Sequence, residues 1–522
     1  MANINITNLT FAYDGSYDNV FEGVSLQLDT DWKLGFIGRN GRGKTTLLSL
    51  LMGRYEYSGE INSPCEFDYF PFEVDDETLD TLGVIESIAP NAERWEINRE
   101  ISLLGVAEDA LGRAFATLSN GERTKVLLAG LFLKENNFLL IDEPTNHLDL
   151  AARETICEYL KSKKSFILVS HDRNLLDNCI NHVLSINKAN IEVQRGNFSS
   201  WLVNKERQDN HELAENERLQ KDIKKLNEAA KRTANWSDKL EKTKYGTKNS
   251  GLRPDRGFIG HKSAKMMKRS KAIEGRQQSA IEEKSGLLKN IESVDNLKIS
   301  PLVHHAENLI VLDNISIFYG EKIVSEDVSF TVKQGQRISL GGRNGCGKSS
   351  LLKLICGENN SHGGNNSRGG NNSHGGNNSR GGNNSRGGNI SYTGGLKMAS
   401  GLKISYVPQD TSALSGSLSD YAREHGADES LFKAILRKLD FSRVQLEKDM
   451  AVFSAGQKKK VLIARSLCEK AHLYIWDEPL NFIDVLSRMQ IEQLLLAYAP
   501  TMIFVEHDGV FGERIATGWV GI

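Results

Sequence analysis

Nowhere among the 522 residues does an apolar run approach the roughly 18–20 residues that a membrane-spanning helix needs. No basic-then-apolar leader opens the chain either. The expectation is a protein that brings no membrane part of its own. Cysteine is scarce. The six thiols, Cys65, Cys157, Cys179, Cys346, Cys356 and Cys468, are scattered and form no C-x-x-C pair. That pattern supports neither a disulfide framework nor a zinc ribbon, and it fits a reducing cytosol. Cys346 stands apart because it lies inside a glycine-rich loop, where any attached group would block what the loop holds. Net charge is also nearly absent, at −2, but the balance hides a partition. Residues 203–292 hold 22 Lys and Arg against 14 Asp and Glu, a net of +8, which leaves −10 for the rest of the chain. Within 231–276 the count sharpens to 14 basic against 4 acidic. A basic middle between two acidic flanks points to a polyanionic partner touched by the middle.

What is present is duplicated. The first half carries Gly38-Arg39-Asn40-Gly41-Arg42-Gly43-Lys44-Thr45, then Leu118-Ser119-Asn120-Gly121-Glu122, then Asp142-Glu143-Pro144, then Ser170-His171-Asp172. The second carries Gly342-Arg343-Asn344-Gly345-Cys346-Gly347-Lys348-Ser349, then Phe453-Ser454-Ala455-Gly456-Gln457, then Asp477-Glu478-Pro479, then Glu506-His507-Asp508. From Ser119 to Glu143 is 24 residues, and from Ser454 to Glu478 is also 24. From Lys44 to Ser119 is 75, but from Lys348 to Ser454 is 106. The excess of 31 equals the low-complexity tract 359–389, so the tract reads as an insertion. It repeats every six residues over 363–386 and offers no apolar residue to bury, which predicts a surface loop.

A chain of this length holds about three domain-sized units. With 25% charged and 39% apolar residues, they are expected to be globular. Residues 1–202 form the first. An apolar strand over 34–37 runs into the glycine loop, and a helix over 44–52 follows. Apolar strands over 138–141 and 166–170 end at Asp142 and His171. Short buried strands separated by helices predict an α/β sheet with its working residues at strand ends. Residues 301–522 repeat the plan. Between them, 201–239 lacks glycine and proline and reads as one long helix. Residues 245–260 hold four glycines and Pro254, which break it, and 262–292 reads as helix again. The middle, 203–300, is therefore predicted as a helical hairpin. Its tip concentrates Lys242, Lys244, Lys248, Arg253, Arg256, Lys262, Lys265, Lys268 and Arg269 around Tyr245. An inert spacer has no need of such a tip.

The motifs specify chemistry. Gly38, Gly41 and Gly43, with Asn40, let backbone N–H groups wrap phosphate oxygens at a helix N-terminus. Lys44 neutralises the β- and γ-phosphates, Thr45 offers a hydroxyl to Mg²⁺, and Thr46 follows it. Gly342, Asn344, Gly345, Gly347, Lys348, Ser349 and Ser350 repeat the set. Asp142 and Asp477 are expected to hold Mg²⁺, and Glu143 and Glu478 to orient the attacking water. His171 and His507 are placed to sense the γ-phosphate. Tyr13 and Tyr319 precede the loops by 25 and 23 residues and stack on adenine, or else are core aromatics.

The Ser119 and Ser454 segments resemble the signature of the ATP-binding-cassette superfamily. The resemblance implies that each cassette covers the nucleotide of the other. Ser454 and Gly456 would then cap ATP at Lys44, and Ser119 and Gly121 ATP at Lys348. Two cassettes without a membrane span and with a basic hairpin between them resemble the ABC-F family. Finer stretches, such as Leu213-Ala214-Glu215-Asn216-Glu217 and Met267-Lys268-Arg269-Ser270-Lys271, are similar to its Lsa-type antibiotic-resistance branch. The resemblance implies a cytoplasmic monomer that closes its cassettes on two ATP and binds the 70S ribosome. The hairpin would enter from the tRNA exit site to touch 23S rRNA and P-site tRNA. It would displace lincosamide, pleuromutilin or streptogramin A drugs from the peptidyl-transferase centre. A housekeeping translation factor of the same family and an exporter ATPase subunit are the alternatives. One departure is visible. The family's glutamine after proline, a ligand of Mg²⁺ and of the attacking water, is Gln409 in the second half but Phe72 in the first. Two unequal sites are expected.

Overall fold

The computed structural model describes residues 3–15, 19–134, 137–146, 148–186, 191–242, 275, 298–320, 322–357 and 390–522. The expected hairpin tip, the returning helix over 262–292 and the hexapeptide tract 359–389 fall outside the described residues. The chain divides into two compact units, Met1–Phe198 with Asp295–Ile522, and Ser199–Val294.

The first unit holds two α/β halves. In the first half the strands are β1 (Asn3–Phe11), β2 (Phe21–Asp29), β3 (Lys33–Gly38), β4 (Ser58–Asn62), β5 (Glu66–Phe70), β6 (Asn137–Asp142), β7 (Phe166–Val169), β8 (His182–Ile186) and β9 (Ile191–Arg195). A six-stranded sheet runs β5-β6-β7-β3-β8-β9, parallel except for β9. An antiparallel sheet runs β2-β1-β4. In the second half the strands are β10 (Asn308–Tyr319), β11 (Lys322–Lys333), β12 (Arg337–Gly341), β13 (Ile390–Met398), β14 (Ile404–Val407), β15 (Leu473–Asp477), β16 (Met502–Val505) and β17 (Gly518–Gly521). They repeat the plan as β14-β15-β16-β12-β17, all parallel, and β11-β10-β13, antiparallel.

The central strands are short apolar runs because both sheet faces are covered. Every residue of β7, β15 and β16 is buried. Phe36 and Phe166, with no exposed surface, each contribute on the order of 2 kcal/mol. Strand order then decides where the chemistry goes. β6, β7 and β3 are neighbours, so Asp142, His171 and the loop after Gly38 emerge side by side at their C-terminal ends. β15, β16 and β12 do the same for Asp477, His507 and the loop after Gly342. Ligands of open parallel sheets bind at these ends.

The signature segments have a local explanation. Ser119 N-caps the helix Asn120–Phe132 and Glu122 reaches back to it, a capping box. Ser454 and Gln457 build the same box on the helix Ala455–Cys468. Each box fixes a helix N-terminus, where N–H groups and the helix dipole favour an anion.

A helix, Phe198–Lys242, of 45 residues begins at the last residue of the first unit's first segment and supplies most of what is described of the second. It begins and ends three residues beyond the stretch expected from the sequence. At 1.5 Å per residue it is about 65 Å long. The absence of glycine and proline, with Lys205–Asp209 and Glu217–Lys221 paired one turn apart, favours the helix.

Candidate nucleotide sites

Each glycine loop turns into its helix through a glycine that no other residue replaces cheaply. Gly43 has φ +91°, and a Cβ there would lie 2.7 Å from Val20 Cγ1. Gly347, at φ +96°, would meet Val324 at 3.0 Å. The helices Lys44–Leu51 and Lys348–Cys356 begin directly afterwards. Lys44 Nζ is buried and donates to Gly38 O at 2.7 Å and Arg39 O at 3.2 Å. Burial holds its ammonium below the usual lysine range. Lys348 Nζ donates likewise to Gly342 O at 2.8 Å and Arg343 O at 2.9 Å. Thr46 and Ser350 line the cavities and also hold the tyrosines. Tyr13 OH lies 2.7 Å from Thr46 Oγ1, and Tyr319 OH 3.0 Å from Ser350 Oγ. Both rings are more than a third exposed and line their cavities, so neither is a core aromatic.

The first cavity, of about 480 Å³, is lined by Tyr13, Asn40, Gly41, Gly43, Lys44, Thr45, Thr46, Asp142, Glu143 and His171. Across it stand Ser454, Ala455, Gly456 and Phe482 of the other half. Asn40 Nδ2 donates to Phe482 O at 2.6 Å. A Cβ on Gly456 would overlap that carbonyl and come within 2.8 Å of Asn40 Nδ2. Arg42 reaches Asp440 at 2.9 and 3.1 Å. Beside the site, Arg173 pairs with Glu492, 3.0 Å through Nη1, where both side chains are buried. The second cavity, of about 610 Å³, is lined by Tyr319, Lys322, Asn344, Gly345, Gly347, Lys348, Ser349, Ser350, Gln409, Glu478 and His507. Asn120, between the expected Ser119 and Gly121, closes it from the first half. Gly121 is looser than Gly456: its Cβ would meet only Leu148 Cδ2, at 3.4 Å.

Glu143 and Glu478 share a backbone posture. Their φ values are +52° and +46°, and their N–H groups bond to Val169 O and Val505 O at 2.9 and 3.0 Å. His171 Nε2 stands 3.3 Å from Glu143 Oε1, and His507 Nε2 stands 3.4 Å from Glu478 Oε1. Their surroundings differ. Gln409 Nε2 donates to Glu478 Oε2 at 2.8 Å and Asn481 Nδ2 donates to it at 2.6 Å. Burial raises Glu478, but His507 and Gln409 outweigh it and its carboxyl sits below the usual value. Burial and the neighbouring Asp142 push Glu143 up to about 8. Phe72 has no donor to offer it. Burial also lowers His171 well below the ordinary histidine range, with Lys44 adding to it.

The Mg²⁺ positions can be tested on the residues present. Asp142 Oδ2 accepts from Thr45 Oγ1 at 2.8 Å and from Tyr69 OH at 3.0 Å. Both carboxylate oxygens of Asp477 are buried, Ser349 stands beside them, and burial lifts this carboxyl to about 6. Buried carboxylates beside a hydroxyl fit a hard cation. Sequence reasoning missed Tyr69, Asn481, Phe482, Arg42, Asp440 and Lys322. Tyr69 had a signal, since it stands two residues before the proline in both halves. Phe482 and Asp440 had none, because they act through the opposite half. The tip residues Lys244, Tyr245, Lys248, Arg253, Arg256, Lys262, Lys265, Lys268 and Arg269 lie outside the described residues, and Lys242 ends the described helix.

Two glycine-loop sites, each closed by the capped helix of the other half, define a tandem-cassette ATPase. The family model described as ABC transporter matches residues 21–146 and 325–481. The chain is 25% identical to ATP-binding protein Uup of Buchnera aphidicola subsp. Acyrthosiphon pisum, over 99% of this chain and 80% of that protein. It is also 25% identical to Ribosome protection protein VmlR of Bacillus subtilis, over 98% and 85%. Against ABC transporter F family member 2 of Arabidopsis thaliana it is 24% identical, over 95% and 74%. The chain belongs to the ABC transporter ATPase family, in its tandem-cassette ABC-F branch. Among solved structures, an archaeal ribosome recycling factor in complex with a ribosomal stalk protein aligns with a TM-score of 0.58. It is 18% identical and covers 98% of this chain and 86% of that one, which shows the shared fold.

Proposed function

We propose that this ATPase is a cytoplasmic ribosome-binding protein that protects the ribosome from drugs at the peptidyl-transferase centre. The observation that carries the reading is the basic stretch 231–276, set between two cassettes that close on each other's phosphate loops. A relative of matching extent named as a ribosome protection protein supports it. In this reading the cassettes of one monomer close on two ATP and the protein docks at the tRNA exit site. Segment 203–300 then carries its basic tip toward 23S rRNA and the acceptor end of P-site tRNA. The tip displaces lincosamide, pleuromutilin or streptogramin A drugs.

At each site the chain's own groups do the following. The loop N–H groups and Lys44 or Lys348 hold the phosphates. Thr45 with Asp142, and Ser349 with Asp477 and Gln409, are the groups that would hold Mg²⁺, which neutralises phosphate charge when bound. Glu143 and Glu478 orient the attacking water, and His171 and His507 sense the γ-phosphate. Ser454 and Gly456, and on the other side Ser119, Asn120 and Gly121, cap the nucleotide. Hydrolysis releases the clamp, so binding energy becomes a conformational switch. The matches to Uup and to an F-family member at nearly the same identity favour a second reading, a housekeeping translation factor without a drug role.

The test is ribosome co-sedimentation of a Glu143→Gln, Glu478→Gln double variant. Pelleting only with ATP is the expected result, followed by rescue of drug-inhibited cell-free translation. Protein left in the supernatant with and without ATP at modest salt removes the ribosomal reading. Pelleting without rescue favours the housekeeping reading.

A further inference from the structure

The two histidine loops differ by one residue, and that residue lies on a line between the two sites. In the first half Ser170 precedes His171. Its hydroxyl accepts the Asp172 N–H at 3.1 Å, within its own loop. In the second half Glu506 precedes His507. Its Oε1 accepts the His507 N–H at 3.0 Å and its Oε2 accepts the Leu480 N–H at 3.1 Å. Leu480 lies two residues after Glu478. Two residues further on, the Phe482 carbonyl grips Asn40 of the first phosphate loop at 2.6 Å. One carboxylate therefore ties the loop that senses phosphate in the second site to the segment that holds the phosphate loop of the first. A serine hydroxyl, one atom beyond Cβ, is too short for that span.

A different link occurs in both halves. Arg153 Nε donates to Leu148 O at 3.0 Å and Arg153 Nη1 lies 3.5 Å from Asp172. Arg488 Nε donates to Ile483 O at 2.9 Å and Arg488 Nη1 to Asp508 at 3.1 Å. Each histidine loop is thus joined to the segment that follows its own site's glutamate, and in the second half that segment reaches the first phosphate loop through Phe482. Among the described residues, Glu506 adds a second join in the second half only.

We infer that Glu506 is a positioning residue that makes communication between the sites directional, carrying the state of the second site to the first. It rests on reading both cavities as ATP sites and is independent of any ribosomal role. When the γ-phosphate leaves the second site, His507 moves. One side chain bonds both backbone N–H groups, so Leu480 moves with it and Phe482 shifts on Asn40. The coupling is a difference in the first site's turnover between two states of the second.

The experiment compares two response ratios in the full-length protein. The first is single-turnover hydrolysis at the first site with the second filled (Glu478→Gln) over that with the second emptied (Lys348→Ala). The reverse ratio uses Glu143→Gln and Lys44→Ala. The first ratio is expected to exceed the reverse by about fivefold or more, within the usual range for coupled sites. Glu506→Ser brings it to within about twofold of the reverse ratio, which itself holds. Glu506→Gln, keeping one acceptor oxygen, falls between. Asn40→Ala lowers the first ratio too, and adding Glu506→Ser lowers it no further. A first ratio unchanged by Glu506→Ser overturns the inference. So does a fall of both ratios together, which is what a general lesion produces. Absence of turnover at both sites in the parent protein would remove the two-site reading itself.

Discussion

Phe72 and Gln409 occupy the same place in the two halves, directly after Pro71 and Pro408, and only the second carries a polar amide. Gln409 holds Glu478 from one side while Asn481 holds it from another. Glu143 is left with His171 at 3.3 Å and with Asp142, whose charge opposes its own ionisation. Tyr69 donates to Asp142, not to Glu143. The first site therefore has its water-orienting carboxylate less firmly held. A hydrogen bond to a charged group contributes about 1.5 kcal/mol, or roughly tenfold in rate. Phe72→Gln should raise first-site turnover by about that factor, measured with the second site disabled by Glu478→Gln. Gln409→Phe should lower second-site turnover by a similar factor, measured in Glu143→Gln. Rates that do not move in either direction would mean that this donor does not limit hydrolysis.

At the scale of elements, the signature helices are capped identically yet packed differently. Gly456 leaves no room for a Cβ against Phe482 O and Asn40, whereas Gly121 leaves 3.4 Å to a leucine methyl. Gly456→Ala should stop the halves from closing over the first site and cut its turnover more than tenfold, a cost typical of overpacking. Gly121→Ala should change second-site turnover by less than about threefold. Nucleotide-dependent closure, followed by small-angle scattering, separates the two. The long helix supplies a second contrast. Leu213 is exposed in the middle of Phe198–Lys242, and Leu213→Pro costs the helix about 3 kcal/mol. Ribosome pelleting should be lost while ATP turnover without ribosomes persists.

Much of this was legible beforehand. Strand ends, glycine loops and capping boxes depend on residues close in sequence, so the α/β sheets and both glycine-loop cavities could be placed without coordinates. The crossing contacts could not. Asn40 on Phe482, Arg42 on Asp440 and Asn120 at the second cavity depend on how one half packs on the other. Glu506 was visible as a departure from Ser170, but its reach to Leu480 was not.

Over the whole molecule, charge is sorted along the chain, with +8 in residues 203–292 and −10 elsewhere. That sorting separates two kinds of binding. In the nucleotide sites the lysines sit buried among loop carbonyls, where salt screens little. The basic stretch 231–276 has ten more positive than negative residues and would meet RNA phosphates in water, releasing counterions as it binds. Ribosome pelleting of the Glu143→Gln, Glu478→Gln variant with ATP should therefore weaken steeply with salt. If half of those excess charges contact phosphates, affinity falls by on the order of 10²–10³ between about 50 and 200 mM KCl. ATP turnover without ribosomes should change by less than about twofold over the same range. Replacing Lys262, Lys265, Lys268 and Arg269 with glutamine should flatten the salt slope of pelleting by about the number of phosphate contacts removed, leaving turnover alone. A slope that does not flatten would place the ribosome contact on the acidic cassettes and take the basic stretch out of the proposed function.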